Sequence, residues 1–151
     1  MKTYTPLIFK AMEIAYSAHS GQVDKSGVPY IFHPAYLAAH MDTEHEIITA
    51  LLHDVVEDTE VTFDDLAAAG FPIEVLEAVK LLTHNDNSPY FEYISRVAAN
   101  QIARKVKLAD LRHNGNPTRT ILPEHNNAGF IKRMERYAKA VEILEEAEKR
   151  L

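Results

Sequence analysis

The apolar residues of this chain recur at intervals of three and four, and no segment shows the strict alternation of a half-buried strand. Leu7, Ile8, Met12 and Ala15 begin the pattern after Thr5-Pro6, an N-cap residue followed by a proline suited to the first helical turn. That helix ends before Gly21. The same spacing predicts helices over 35–41, 44–57, 62–69, 73–83, 89–99, 101–113 and 124–150. Thr62-Phe63-Asp64-Asp65 reads as a capping box and Gly70 as a stop. Residues 21–34, rich in Gly and Pro, read as a loop of a length that usually serves function. With no repeat, low-complexity stretch or linker, residues 1–151 are expected to form a single all-α domain of seven or eight helices.

The chain contains no cysteine, which excludes disulfides, thiol catalysis and Cys-based metal sites, so any metal must be held by His, Asp or Glu. No apolar run approaches the ~18 residues of a membrane span, and Met1-Lys2-Thr3 is not followed by the apolar core of a signal peptide. A cytoplasmic setting is the expectation. The net charge of −6 argues against binding a nucleic-acid polymer. It also hides a segregation. Between Lys25 and Lys80 there is no Lys or Arg but 11 acids, whereas from Arg96 to Lys139 ten basic residues face three acids. Two differently solvated faces would explain this, and so would a metal held by one half with phosphates held by the other.

Ala50-Leu51-Leu52-His53-Asp54-Val55-Val56-Glu57-Asp58-Thr59 is the most informative segment. On a continuous helix His53 and Glu57 are four apart, as are Asp54 and Asp58, so imidazole and carboxylates share a side. The helix would finish near Thr59, placing carboxylates at its negative end at a cost of ~0.3–1 kcal/mol each, which a bound cation would offset. Further ligands must come from elsewhere. His33, ahead of Pro34, and Asp110, charged on an otherwise apolar helix, are the candidates. A satisfied loop histidine and a salt bridge from Asp110 to Arg112 or Arg104 are the plainer readings of each. Two imidazoles and two carboxylates suit Mn²⁺, Fe²⁺, Co²⁺ or Zn²⁺.

Four ordered motifs then carry a resemblance over nearly the whole chain. They are His19-Ser20-Gly21-Gln22, Lys25-Ser26-Gly27-Val28-Pro29-Tyr30-Ile31-Phe32-His33-Pro34, Leu51 to Thr59, and Lys107-Leu108-Ala109-Asp110-Leu111-Arg112-His113-Asn114. The sequence resembles the HD-type hydrolase domain of the stringent-response alarmone enzymes, most of all the stand-alone small alarmone hydrolases. The resemblance implies an HD-type helical domain and a Mn²⁺-dependent removal of pyrophosphate from the 3′ position of a hyperphosphorylated purine nucleotide of the ppGpp kind. It implies His33, His53, Asp54 and Asp110 as metal ligands, Glu57 and Asp58 as the catalytic pair, and Lys25 and Asn114 as substrate-binding residues. The implied partner is a small nucleotide, with neither polymer nor membrane.

Two departures bear on the base. Asp24-Lys25 stands where these hydrolases commonly have an Arg-Lys pair, and Gly115-Asn116-Pro117-Thr118-Arg119 replaces their usual continuation after the asparagine. The loss of a planar cation predicts poor discrimination between guanine and adenine, or even a preference for adenine. Arg112, Arg119, Arg133, Arg136 and Tyr137 are candidate phosphate contacts. Tyr90 and Tyr93, three apart, read first as core. His19, His40, His45, His84, His113 and His125 read as structural or surface residues. A general HD nucleotide phosphohydrolase and a non-catalytic nucleotide sensor are the alternatives, and retention of both Glu57 and Asp58 argues against the sensor.

Overall fold

Thr5 accepts a hydrogen bond from the Ile8 amide and, with Pro6 behind it, starts α1 (Pro6–Ala18) where the sequence predicts. The computed structural model describes residues 4–84, 86–116, 119 and 128–150. Within them follow α2 (Phe32–Ala39), α3 (Glu44–Leu52), α4 (Val55–Asp58), α5 (Phe63–Ala68), α6 (Ile73–Leu82), α7 (Tyr90–Ala98), α8 (Gln101–Asn114) and α9 (Ala128–Lys149). The described residues contain no strand, only an isolated bridge between Val23 and Pro29. The all-α expectation holds, with α4 a single turn beside eight longer helices. Residues 124–127 of the predicted last helix, His125, and Pro117-Thr118 lie outside the described residues.

α3 is the centre of the molecule. Its residues from Ile47 to Leu52 are all buried, and it packs against α1, α2, α6 and α8. Such a helix has no solvent face over its second half, so whatever follows it emerges inside the protein. α8 packs on α2, α3, α6, α7 and α9, burying Ala103, Val106, Leu108 and Leu111. The Thr62–Asp65 capping box is present as predicted, and a second one, Thr43–Glu46, starts α3.

Two boundaries differ from the sequence reading. The predicted 44–57 helix is broken at His53-Asp54, where Asp54 adopts φ −108° and ψ 0°. The cause is local: His53 Nδ1 donates to the Ala50 carbonyl at 2.7 Å, the acceptor a continuing helix would reserve for the Asp54 amide. The second helix starts at Phe32 rather than after Pro34, so His33 lies in its first turn and not at the end of a loop. A proline is tolerated there because first-turn amides have no helical acceptor. The preceding loop is pinned by Asp24, whose Oδ1 accepts from the amides of Ser26 and Val28 at 2.8 and 3.0 Å, with Gly27 between them at φ 83°.

Candidate active site

The first turn of α2, the end of α3, the break behind it, α4 and the last turns of α8 converge on one place. His33 Nε2 lies 2.8 Å from Asp110 Oδ1, and His53 Nε2 lies 3.0 Å from Asp54 Oδ2 and 3.6 Å from Asp110 Oδ1. His33, His53 and Asp110 are each at most 4% exposed. One ligand atom apiece from His33, His53 and Asp54 fits within 4.8 Å, and Asp54, Glu57 and Asp58 form a second such group. Asp54 belongs to both. The four-residue pairing of Asp54 with Asp58 survives the helix break because the Asp58 amide still donates to the Asp54 carbonyl at 3.0 Å. His53 and Glu57 fall into different groups.

These residues fit a divalent cation. With Nδ1 committed to Ala50, His53 turns Nε2 toward two carboxylates, and that buried nitrogen has no hydrogen-bond partner of its own. A buried ring nitrogen set among carboxylate oxygens with no aligned hydrogen bond is the position a cation would satisfy. Burial pushes Asp110 up, but the Lys107 ammonium at 2.9 Å and the two histidines outweigh it and hold the carboxyl well below the usual range. Burial likewise opposes a charged His53, yet Asp54 and Asp110 keep its pKa raised. Asp110 is therefore not the partner of Arg112 or Arg104. Arg112 pairs with Glu145 at 2.7 Å, and the buried Arg104 donates to the Ala98 carbonyl.

Glu57 and Asp58 stand at the mouth, more exposed than the four residues behind them. Burial and neighbouring carboxylates raise the pKa of each. Glu57 Oε1 accepts from the His84 amide at 2.6 Å, and Gln22 donates to the Asp58 carbonyl at 3.0 Å.

Beside this cluster lies a cavity of about 340 Å³ lined by Asp24, Lys25, Tyr30, Asn114, Arg119 and Arg133, among others. Two of its walls reach the cluster directly: the Tyr30 hydroxyl donates to Asp54, and Asn114 Nδ2 donates to Asp110 Oδ1 at 3.0 Å. Lys25 and Asn114 thus line one pocket. The inferred absence of a planar cation needs correcting. Arg119 supplies a guanidinium from beyond α8, with Nη1 donating to Asn114 Oδ1 at 2.9 Å and to the His113 carbonyl at 3.3 Å. Its Nη2 lies 3.5 Å from Asp24 Oδ2. Asp24 is occupied with its loop and with this arginine.

Of the other candidates, Tyr93 is core, its hydroxyl donating to the Leu82 carbonyl at 2.7 Å. Arg136 lies over the rings of Tyr90 and Tyr137 at 4.7 and 5.9 Å. The sequence reading missed Tyr30 and two histidines. His19 is buried beside the Tyr30 ring and donates Nδ1 to Gln22 at 2.8 Å, and His113 Nδ1 lies 2.7 Å from His33 Nδ1. All three stand inside the quoted motifs, and that membership was the sequence signal for them.

No family model matches the chain. It is 33% identical over 144 residues to the bifunctional (p)ppGpp synthase/hydrolase SpoT of Escherichia coli, an alignment covering 82% of this chain and 20% of that protein. It is 35% identical over 128 residues to the guanosine-3′,5′-bis(diphosphate) 3′-pyrophosphohydrolase of Borreliella burgdorferi, covering 71% and 18%. The protein of that name from Spiroplasma citri is 38% identical over 125 residues, covering 71% and 16%. The chain therefore spans a fifth or less of the length of these relatives. Among solved structures, a metazoan ortholog of SpoT that hydrolyses ppGpp matches with a TM-score of 0.75 over 99% of this chain and 98% of that one, at 23% identity. Sequence identity carried over most of the chain, joined to a fold shared along its whole length, places it in one group: it is an HD-type domain of the Rel/Spo hydrolase family.

Proposed function

We propose that the chain hydrolyses the 3′-pyrophosphate from a guanosine-3′,5′-bis(diphosphate)-like nucleotide, in the cytoplasm, with one divalent cation and Mn²⁺ as its working ion. The observation that carries this reading is the orphaned buried nitrogen of His53, set among His33, Asp54 and Asp110 and opening onto a cationic pocket. The relatives' names supply the substrate class.

In this reading His33, His53, Asp54 and Asp110 hold the cation. When bound, it supplies Lewis-acid polarisation of a phosphoryl oxygen and makes an attacking water more acidic. Glu57 and Asp58, with raised pKa values at the mouth of the site, accept and return the proton. The bond between phosphorus and the ribose 3′ oxygen breaks, the water oxygen stays with the pyrophosphate, and the 3′ oxygen takes up a proton. Lys25, Arg119 and Arg133 offer positive charge to the remaining phosphates. Asn114 links pocket to cluster, since its amide accepts from Arg119 and donates to Asp110.

Incubating the Mn²⁺-loaded protein with guanosine and adenosine 3′-pyrophosphate nucleotides tests the proposal. Pyrophosphate and a nucleoside 5′-diphosphate with a free 3′ hydroxyl are the expected products. Release of orthophosphate alone would favour a general phosphohydrolase, and metal binding without turnover of any phosphate ester would favour a sensor.

A further inference from the structure

A ligating imidazole offers its metal an unprotonated nitrogen and must carry its proton on the other one, so the partner of that second nitrogen fixes both tautomer and ring rotation. For His53 the partner is a main-chain carbonyl, Ala50 O, at 2.7 Å. For His33 it is another histidine. His33 Nε2 points at Asp110 Oδ1 from 2.8 Å, while His33 Nδ1 lies 2.7 Å from His113 Nδ1.

His113 is held for this contact. Its ring is parallel to that of His33 within 3° and stacks on Tyr36 at 3.9 Å with 9° between the planes, which fixes the plane of the ring in line with His33. At 2.7 Å one of the two facing Nδ1 atoms carries the proton and the other offers its lone pair. His113 does not line the nucleotide pocket, and none of its contacts is with Glu57 or Asp58.

We propose that His113 is a positioning residue for the metal site: it accepts the Nδ1 proton of His33 and so holds Nε2 of His33 toward the cation. This rests on the metal assignment made under the proposed function.

Two substitutions separate the hydrogen bond from packing. H113F keeps a flat ring against Tyr36 but has no acceptor, and H113N loses the ring but keeps an acceptor oxygen near the place of Nδ1. Metal-free wild type and variants are titrated with Mn²⁺ at pH 7.5, and the zinc-loaded proteins are examined by ¹⁵N NMR of the imidazoles. H113F is expected to bind Mn²⁺ about 10- to 100-fold more weakly, the usual effect of losing such an outer partner. H113N should stay within about threefold of wild type. The zinc-loaded wild type should show His33 protonated at Nδ1. Equal affinity in H113F and wild type would overturn the inference, as would a loss in H113N matching that in H113F, or a His33 proton on Nε2. Should H113F fail to fold, H113L against H113N makes the same comparison. A wild type that binds no Mn²⁺ stoichiometrically sinks the metal assignment and this inference with it, a result distinct from tight binding that H113F leaves unchanged.

Discussion

Lys107 and Asp110 form an ion pair at 2.9 Å in which neither partner reaches much water, their side chains being 16% and 6% exposed. Removing one partner of such a pair strands the other, and D110N should lower the stability of the metal-free protein by about 3 kcal/mol, the low end of the range because Lys107 keeps some solvent. D110N/K107M should recover most of that loss without recovering metal binding. Urea unfolding measures both, and equal stability of D110N and wild type would contradict the pairing. At the mouth, E57Q and D58N should each lower kcat by ~10²-fold or more with metal content unchanged, the size expected for lost acid–base help. Metal analysis beside steady-state kinetics checks this, and unchanged turnover in both would remove the pair from the chemistry. R119Q should raise KM about tenfold with a smaller effect on kcat, and a KM equal to wild type would take Arg119 out of the substrate pocket. At this scale the sequence revealed residue types better than partners. The spacing of His53, Asp54, Glu57 and Asp58 pointed to a site, but nothing adjacent in sequence announces that Arg119 reaches Asp24 or that His113 reaches His33, because those contacts join separate segments.

Three helix starts were legible where a side chain caps them. Thr5, Thr62 and the residue before Gln101, Asn100, all accept from amides of the first turn, and α1, α5 and α8 begin where the sequence predicts. The break after α3 was not legible, since apolar spacing continues through Val55 and the cause is a side chain taking a main-chain acceptor. The Thr43–Glu46 box went unread as well, although it ties α3 to α8: Glu46 accepts from the Asp42 and Thr43 amides at 2.9 and 3.2 Å and from Lys105 Nζ at 2.8 Å. Burial opposes the charge on Glu46, but Lys105 and the two amides outweigh it and lower its pKa. A lowered folded pKa gives stability that is present above the ordinary carboxylate value of about 4.3 and disappears as pH falls through the folded value. E46Q should therefore cost about 1 kcal/mol at pH 7, and its gap from wild type should narrow below about pH 4. A gap that stays constant between pH 7 and pH 3.5 would show that charge on Glu46 contributes nothing.

Among the described residues, the site is built from segments around residues 33, 53–58 and 110–114, with Arg119, gathered only when α2, α3 and α8 pack. The sequence supplied the all-α class and, through the four motifs, a candidate set of residues. The geometry that unites them depends on tertiary packing, which periodicity does not encode. A cation bridging those segments should stabilise the fold as a whole. At about 100 times its dissociation constant Mn²⁺ should add ~2.7 kcal/mol, raising Tm by roughly 5–10 °C for a chain of this size. Thermal unfolding with and without Mn²⁺, reversed by a chelator, measures it, and an unchanged midpoint up to millimolar Mn²⁺ would refute the metal's structural role. The double membership of Asp54, in the group with His33 and His53 and in the group with Glu57 and Asp58, has an evolutionary consequence. A descendant of this domain that gave up catalysis to become a receptor would have to change 57 or 58 and leave 54 alone. On the proposed assignment, drift at 54 would erase metal retention and reactivity in one step, so receptor and enzyme lineages should diverge at the rim while the residue behind it stays the same.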